Sequence, residues 1–300
     1  MHIYRHSATT ARPASSEADG RADTRVSQQP SYARAKKSLG QNFLVDPNLQ
    51  RKIVRALEVG PGDEVLEIGP GQGALTSHLV EKAGRVVAVE LDDDLASILV
   101  SRYVDEPSVE IVHGDVLKVP LDEHLHRPDE TLVIGNIPYN ITTPIIFRLL
   151  QRPRPRRIVL MIQGEVADRI VAPVGSKAYG ALSVGIRSVA KVEKLFRVRR
   201  GAFRPVPGVD SAIIRITPFL PAPLEAAEEE ALRRLVRAAF QWRRKQLGKI
   251  LRDHPDLEVA EPRLESAVDQ AGIEIMDRPE RLAPEDFIRL SFALALTKRL

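Results

Sequence analysis

Apolar positions in this chain come in short dense runs set apart by turn residues. Glu64 to Ile68, Val86 to Glu90, Val109 to Val112, Thr131 to Ile134 and Ile158 to Ile162 each read as a buried strand. Helical patterns fall between them: Ala74 to Lys82, a stretch from Asp92 with Leu95, Ile98 and Leu99 inward, a helix opening at Ile141 to Phe147, and Gln163 to Val171. Ahead of the first strand, Asp46-Pro47 marks a helix start, with Asp as N-cap and Pro at the first helical position. Ile53, Val54 and Leu57 give that helix its apolar stripe, and Gly60-Pro61-Gly62 ends it. A further helix over 179–189 and strands over 191–197 and 211–217 follow. Strands alternating with helices predict an α/β fold, a mostly parallel sheet covered on both faces.

The pattern breaks at Pro218-Phe219-Leu220-Pro221-Ala222-Pro223. Beyond it everything reads as helix: 225–251, then two shorter helices ending near Arg299. The expected organisation is a sheet domain over 31–218 and a small all-helical C-terminal domain over 224–300. Residues 1–30 are rich in Ala, Ser, Arg, Asp and Gln with almost no apolar periodicity, so a disordered tail is expected there. An Arg/Ser/Ala-rich opening also fits an organellar address, but Glu17, Asp19 and Asp23 speak against it.

Composition narrows the chemistry. The chain has no cysteine, which excludes disulfides, thiolate metal sites and cysteine nucleophiles. No apolar run approaches the ~18 residues needed to span a bilayer. Net charge is only +4, but it is unevenly placed. Arg233 to Arg252 holds eight basic residues and no acidic one, and Arg187 to Arg204 holds seven against the single Glu193. Local basic faces of that kind suit a polyanion.

The polar residues that matter close successive strands. Gly69-x-Gly71-x-Gly73 follows the first, Glu90 ends the second, Asp115 follows the third in Gly114-Asp115, and Asn136 follows the fourth. Glycines at a strand-to-helix turn let backbone approach a ligand, and a carboxylate at the next strand end can accept from ribose hydroxyls. A dinucleotide site would use Gly-x-Gly-x-x-Gly; here the third glycine falls one residue early. Gly135-Asn136-Ile137-Pro138-Tyr139-Asn140 adds more. Asn136 offers an acceptor and a donor. Pro138 pushes Ile137 to an extended conformation, which can aim the Ile137 carbonyl into a cleft. Tyr139 offers a face for a flat ring. Two acceptors and a stacking platform fit an aromatic amine such as adenine N6, although on these residues alone a turn with a core tyrosine reads equally well.

Taken together, Leu39-Gly40-Gln41-Asn42-Phe43-Leu44, Glu67-Ile68-Gly69-Pro70-Gly71-Gln72-Gly73-Ala74-Leu75-Thr76, Glu90, Gly114-Asp115, Gly135 to Asn140 and Phe203-Arg204-Pro205-x-Pro207-x-Val209-x-Ser211 are similar to class I S-adenosylmethionine-dependent methyltransferases. More narrowly, the chain resembles the ribosomal RNA adenine N6-dimethyltransferases of the KsgA/RsmA family, from about Ser38 to the C-terminus. The resemblance implies a Rossmann-like sheet, S-adenosyl-L-methionine as cofactor and no metal. It implies dimethylation of two adjacent adenosines near the 3′ end of small-subunit rRNA, late in subunit biogenesis. Asn42, Leu44 and Gly69 would line the cofactor site. Glu90 would hold the ribose, Asp115 the cofactor adenine amine, and Asn136 would bridge cofactor and target. Catalysis would fall to Asn136, Ile137, Pro138 and Tyr139, with Phe203 as a second stacking wall. Bacterial members often carry Leu where this chain has Ile137, a change that leaves the backbone carbonyl in place. The expected partner is rRNA of the small ribosomal subunit or its precursor, met in the cytoplasm by a monomer with no membrane attachment. Two other readings share these motifs: a large-subunit rRNA adenine methyltransferase of the macrolide-resistance type, and a nucleic-acid-binding relative without catalysis. A nicotinamide enzyme fits least.

Overall fold

Five parallel strands set the frame in the computed structural model, which describes residues 35–36 and 39–294. The tail expected over 1–30, Lys37, Ser38 and the chain end near Arg299 lie outside the described residues. The main sheet is built from β2 (Glu64–Ile68), β3 (Arg85–Glu90), β4 (Val109–His113), β5 (Leu132–Asn136), β6 (Arg157–Gln163), β7 (Ala190–Val198) and β9 (Ser211–Pro218), in the order β4-β3-β2-β5-β6-β9-β7. β9 runs antiparallel between β6 and β7. A two-stranded ribbon stands apart, pairing β1 (Phe43–Leu44) with β8 (Phe203–Arg204).

The period of two along each strand feeds two cores. Val65 packs with Leu132, Ile134 and α1 (Pro47–Leu57) on one face; its neighbour Leu66 packs with Val133, Leu160 and α4 (Thr142–Leu149) on the other. α1 starts where the Asp-Pro pair predicts. The Asp46 carboxylate accepts from the Asn48 and Leu49 backbone N–H groups at 2.9 and 3.2 Å. α2 (Thr76–Val80), α3 (Asp93–Arg102), α5 (Gly164–Ile170) and α6 (Ala181–Arg187) complete the cover.

From β2 the chain winds outward through β3 to β4, then crosses back to β5 beside β2 and continues to β6. The carboxyl ends of β2 and β5 therefore flank a topological switch point, where an open α/β sheet leaves a crevice. Ile68 lies in register with Gly135 there. A Cβ on Gly135 would come within 2.7 Å of the Ile68 carbonyl, so no other residue fits at that point without moving the strand.

The C-terminal region holds α7 (Ala226–Gln241), α8 (Leu247–Asp253), α9 (Glu261–Ala271) and α10 (Pro284–Ala293). The single helix expected over 225–251 is thus two. α7 stops at Trp242, and the first N–H groups of α8 turn to partners far along the chain: Leu247 donates to the Asp277 carbonyl at 2.8 Å and Gly248 to that of Ile275 at 3.0 Å. Those partners are tertiary, so the continuous apolar stripe did not reveal the break. The helical core also takes in Tyr179 and Val184, and the Tyr179 hydroxyl donates to the Leu282 carbonyl at 2.8 Å.

Candidate active site

The cleft at the switch point is lined from four strand ends and from the β1–β8 ribbon. Gly69 and Gly71 sit at φ 64° and 60°, in the left-handed region that glycine adopts without strain. A Cβ on Gly71 would also press to 3.2 Å of the Phe43 ring, while its N–H donates to Glu90 Oε2 at 2.9 Å. Glu90 Oε1 accepts from the Asp92 N–H at 2.9 Å. Burial pushes the Glu90 carboxyl up, and these two N–H bonds pull against it. Each oxygen keeps a further lone pair for a diol. Asp115 folds back to accept from the Leu117 N–H at 2.9 Å and stays partly exposed at the cleft edge.

Glu67 is the residue whose role the strand pattern hid. It lies on β2, is 1% exposed, lines the cleft, and leaves Oε2 buried without a hydrogen-bond partner. Burial raises its carboxyl to about 7; the Thr76 hydroxyl and N–H beside it pull the other way, and the nearby Glu90 adds to the rise. The signal available in the sequence was a carboxylate inside an otherwise apolar run.

At the carboxyl end of β5, Asn136 closes the strand and donates its Nδ2 to the Asn42 carbonyl at 2.8 Å. The Ile137 N–H donates to the Met161 carbonyl at 3.0 Å, and the Ile137 side chain is buried. Its own carbonyl accepts no hydrogen bond among the described residues. Pro138 holds φ −55° and leads into a short turn that carries Tyr139. The Tyr139 ring is pinned at its tip, with its hydroxyl 2.8 Å from Ser211 Oγ. Burial raises the Tyr139 hydroxyl above its ordinary value. Phe203 is buried at 1% exposure yet lines the same cleft, paired through β8 with Leu44.

The segment before β1 is a strap. Lys36 Nζ pairs with Asp92 Oδ1 at 2.7 Å and Asp94 Oδ2 at 2.8 Å, and Gln41 Nε2 donates to Asp92 Oδ2 at 2.8 Å. Burial works to raise the Asp92 carboxyl, but Lys36, Gln41 and the α3 N–H groups outweigh it and hold it low. Asn42 and Leu44 are thereby held over the cleft between the β3 end and the β5 end. All the expected site residues, Asn42, Leu44, Gly69, Glu90, Asp115, Asn136, Ile137, Pro138, Tyr139 and Phe203, line this one cleft.

The donor set decides what can sit there. The described lining holds three carboxylates, Glu67, Glu90 and Asp115, and no Lys, Arg or His. A pyrophosphate would meet like charge; a ligand that carries cationic groups and a nucleoside meets acceptors. The orphaned Glu67 oxygen fits the same ligand class, so S-adenosylmethionine, with its sulfonium and ammonium, suits the residues present. Among the described residues, no group of His, Asp or Glu is placed to hold a metal ion.

A family model, ribosomal RNA adenine dimethylase, matches residues 32–294. Among similar proteins, the ribosomal RNA small subunit methyltransferase A of Geobacter sulfurreducens is 42% identical over 264 residues, covering 87% of this chain and 95% of the relative. That of Levilactobacillus brevis is 45% identical over 266 residues, covering 86% and 90%. Among solved structures, a dimethyladenosine transferase from Plasmodium falciparum superposes with TM-score 0.69 at 28% identity, covering 83% of this chain and 95% of that one. The 23S rRNA methyltransferase ErmE superposes with TM-score 0.65 at 30% identity, covering 85% and 100%.

Proposed function

The chain belongs to the ribosomal RNA adenine dimethylase family, and from that premise we propose that it dimethylates N6 of two adjacent adenosines near the 3′ end of small-subunit rRNA. The observation that carries the chemistry is the Asn136 side chain: its NH2 is committed to the Asn42 carbonyl, so Oδ1 is left as the acceptor for a substrate amine.

S-adenosylmethionine, when bound, supplies an electrophilic methyl group. Glu90 would accept from its ribose hydroxyls and Asp115 from its adenine amine, while Asn42, Leu44 and Gly69 would line the rest of its site. Asn136 Oδ1 and the Ile137 carbonyl accept the two N–H bonds of the target amine. Held out of the ring plane, those bonds localise the nitrogen lone pair toward the methyl donor. That is positional and electrostatic catalysis. No His, Lys or Arg lines the described cleft, which agrees with a reaction that needs no strong base. The proton leaves N6 after the new bond has made it acidic. Tyr139 and Phe203 flank the base, and stacking of ~1–3 kcal/mol per base offsets part of the cost of taking it out of the RNA.

The region over 224–300, helical where it is described, is read as the RNA-binding domain. Its basic run divides by partner. Arg233 pairs with Glu230, Arg243 with Glu280, and Lys249 and Arg252 with Asp253. Arg237, Arg244 and Lys245 are exposed with no ion-pair partner among the described residues, and are the candidates for phosphate contact. No described helix is long and apolar enough to cross a membrane. We place the enzyme in the cytoplasm as a monomer.

Labelled methyl transfer to small subunits lacking the modification, with large subunits as control, tests the reading. Transfer confined to the large subunit would instead support the chemistry named for ErmE.

A further inference from the structure

The segment between Phe203 and Ser211 has two ends with roles and a middle with none so far. Phe203 lines the cleft, and Ser211 holds Tyr139. Between them the loop 205–210 leaves the protein at the cleft wall and returns to it. Its tip exposes Val206 at 52% and Val209 at 42%. They are two branched apolar side chains on one short tip, in the same segment as Phe203 of the cleft wall.

The loop is held firmly from below. Asp210 Oδ1 accepts from the Arg200 N–H at 2.9 Å and Oδ2 from Arg197 Nε at 2.9 Å. The Asp210 carbonyl accepts from the Gly164 N–H at 3.0 Å, and Pro207 is buried between the two valines. The tip is therefore shaped before any partner arrives. Its surroundings say what that partner is. Arg199, Arg200 and Arg204 are exposed around the base of the loop, with no ion pair among the described residues. An apolar point ringed by cationic groups matches a nucleic acid whose backbone meets the ring while its bases meet the point.

We propose that Val206 and Val209 form a wedge that enters the RNA stack beside the target adenosine and fills the gap left when that base swings between Tyr139 and Phe203. This rests on the rRNA reading above. Removing a base from a stack exposes its former neighbours, and an apolar side chain in the gap repays part of that cost. The wedge and the pocket share one short piece of backbone, so inserting the tip and seating the base are one motion. Arg199, Arg200 and Arg204 would meet the phosphates on either side.

The test uses small subunits lacking the modification, with the wild-type chain and a Val206→Ser/Val209→Ser variant. Wild-type methyl transfer is measured first; its absence would sink the rRNA reading itself. Complexes are then formed with S-adenosylhomocysteine and probed with dimethyl sulfate at adenine N1. The wild type is expected to protect the target adenosines. The variant is expected to bind subunits within about twofold, leave those positions reactive, and transfer methyl groups about tenfold more slowly, equivalent to ~1.4 kcal/mol. Calorimetric binding of S-adenosylhomocysteine by the variant, unchanged, confirms that it is folded. Equal protection and equal rate would overturn the wedge. So would a variant that fails to bind subunits at all, because the loop would then be an anchoring contact and not a wedge.

Discussion

The Asn136 side chain and the Asn42 backbone, 94 residues apart in sequence, are joined by a 2.8 Å hydrogen bond from Nδ2 to the carbonyl oxygen. A backbone carbonyl can only accept, so the bond settles which way the amide faces. It also ties the strap before β1 to the residue proposed to address the target amine. The two halves of the cleft are thus one hydrogen-bonded unit.

Asn136→Ala should lose both functions, unequally. Methyl transfer is expected to fall by ~10²–10³, the range for removing one preorganised polar group from a transition state. Affinity for S-adenosylmethionine should fall less than about tenfold, the size of one net hydrogen bond holding Asn42. Labelled transfer and calorimetry on the same preparation compare the two. Equal losses would confine Asn136 to cofactor binding.

Ser211→Ala should act through Tyr139. The tyrosine hydroxyl loses its 2.8 Å partner and the ring gains freedom to tilt. The maximal rate is expected to drop several-fold, about the worth of one hydrogen bond, with cofactor affinity unchanged. Tyr139→Phe should cost a similar amount, and the double variant little more than either alone. Additive losses would show that the two groups act separately.

Glu67 makes a prediction about pH. Its carboxyl titrates near 7 in the folded chain against an ordinary 4.5. Between those values the folded state binds more protons than the unfolded state, so stability falls as pH rises from about 4.5 through about 7 and is flat beyond. Glu67→Gln removes the titrating group. Urea denaturation of the ligand-free chain at pH 5 and pH 8 should show a larger loss for the wild type than for the variant. A loss of equal size would place the pH dependence elsewhere.

The basic helical face should separate into binding and structural residues. Arg244→Ala with Lys245→Ala is expected to weaken subunit binding and reduce its salt dependence by about 0.7–0.9 in slope for each phosphate no longer neutralised. Arg243→Ala should instead lower the melting temperature, because Arg243 holds Glu280 at 2.7 Å and the Lys177 and Ser176 carbonyls at 3.0 and 3.2 Å. Filter binding across a salt series and a thermal melt distinguish them. A salt slope that does not change would remove Arg244 and Lys245 from the RNA face.

The strands, their order of appearance and the polar residue at each carboxyl end were legible in the sequence, because a parallel strand buried on both faces must be an apolar run and its end must turn. Gly69, Glu90, Asp115 and Asn136 announced a cleft for the same local reason. Only the tertiary structure decided how the cleft works. Asn136 meeting Asn42, Tyr139 meeting Ser211, Gln41 meeting Asp92 and the orphaned Glu67 oxygen are products of strand order and of the β1–β8 ribbon. The end of α7 at Trp242 likewise depends on carbonyls at Ile275 and Asp277. Hydrogen bonds that span tens of residues leave no period in the chain. A sequence displays what each residue does for its neighbours, and these residues act on groups that only folding brings near.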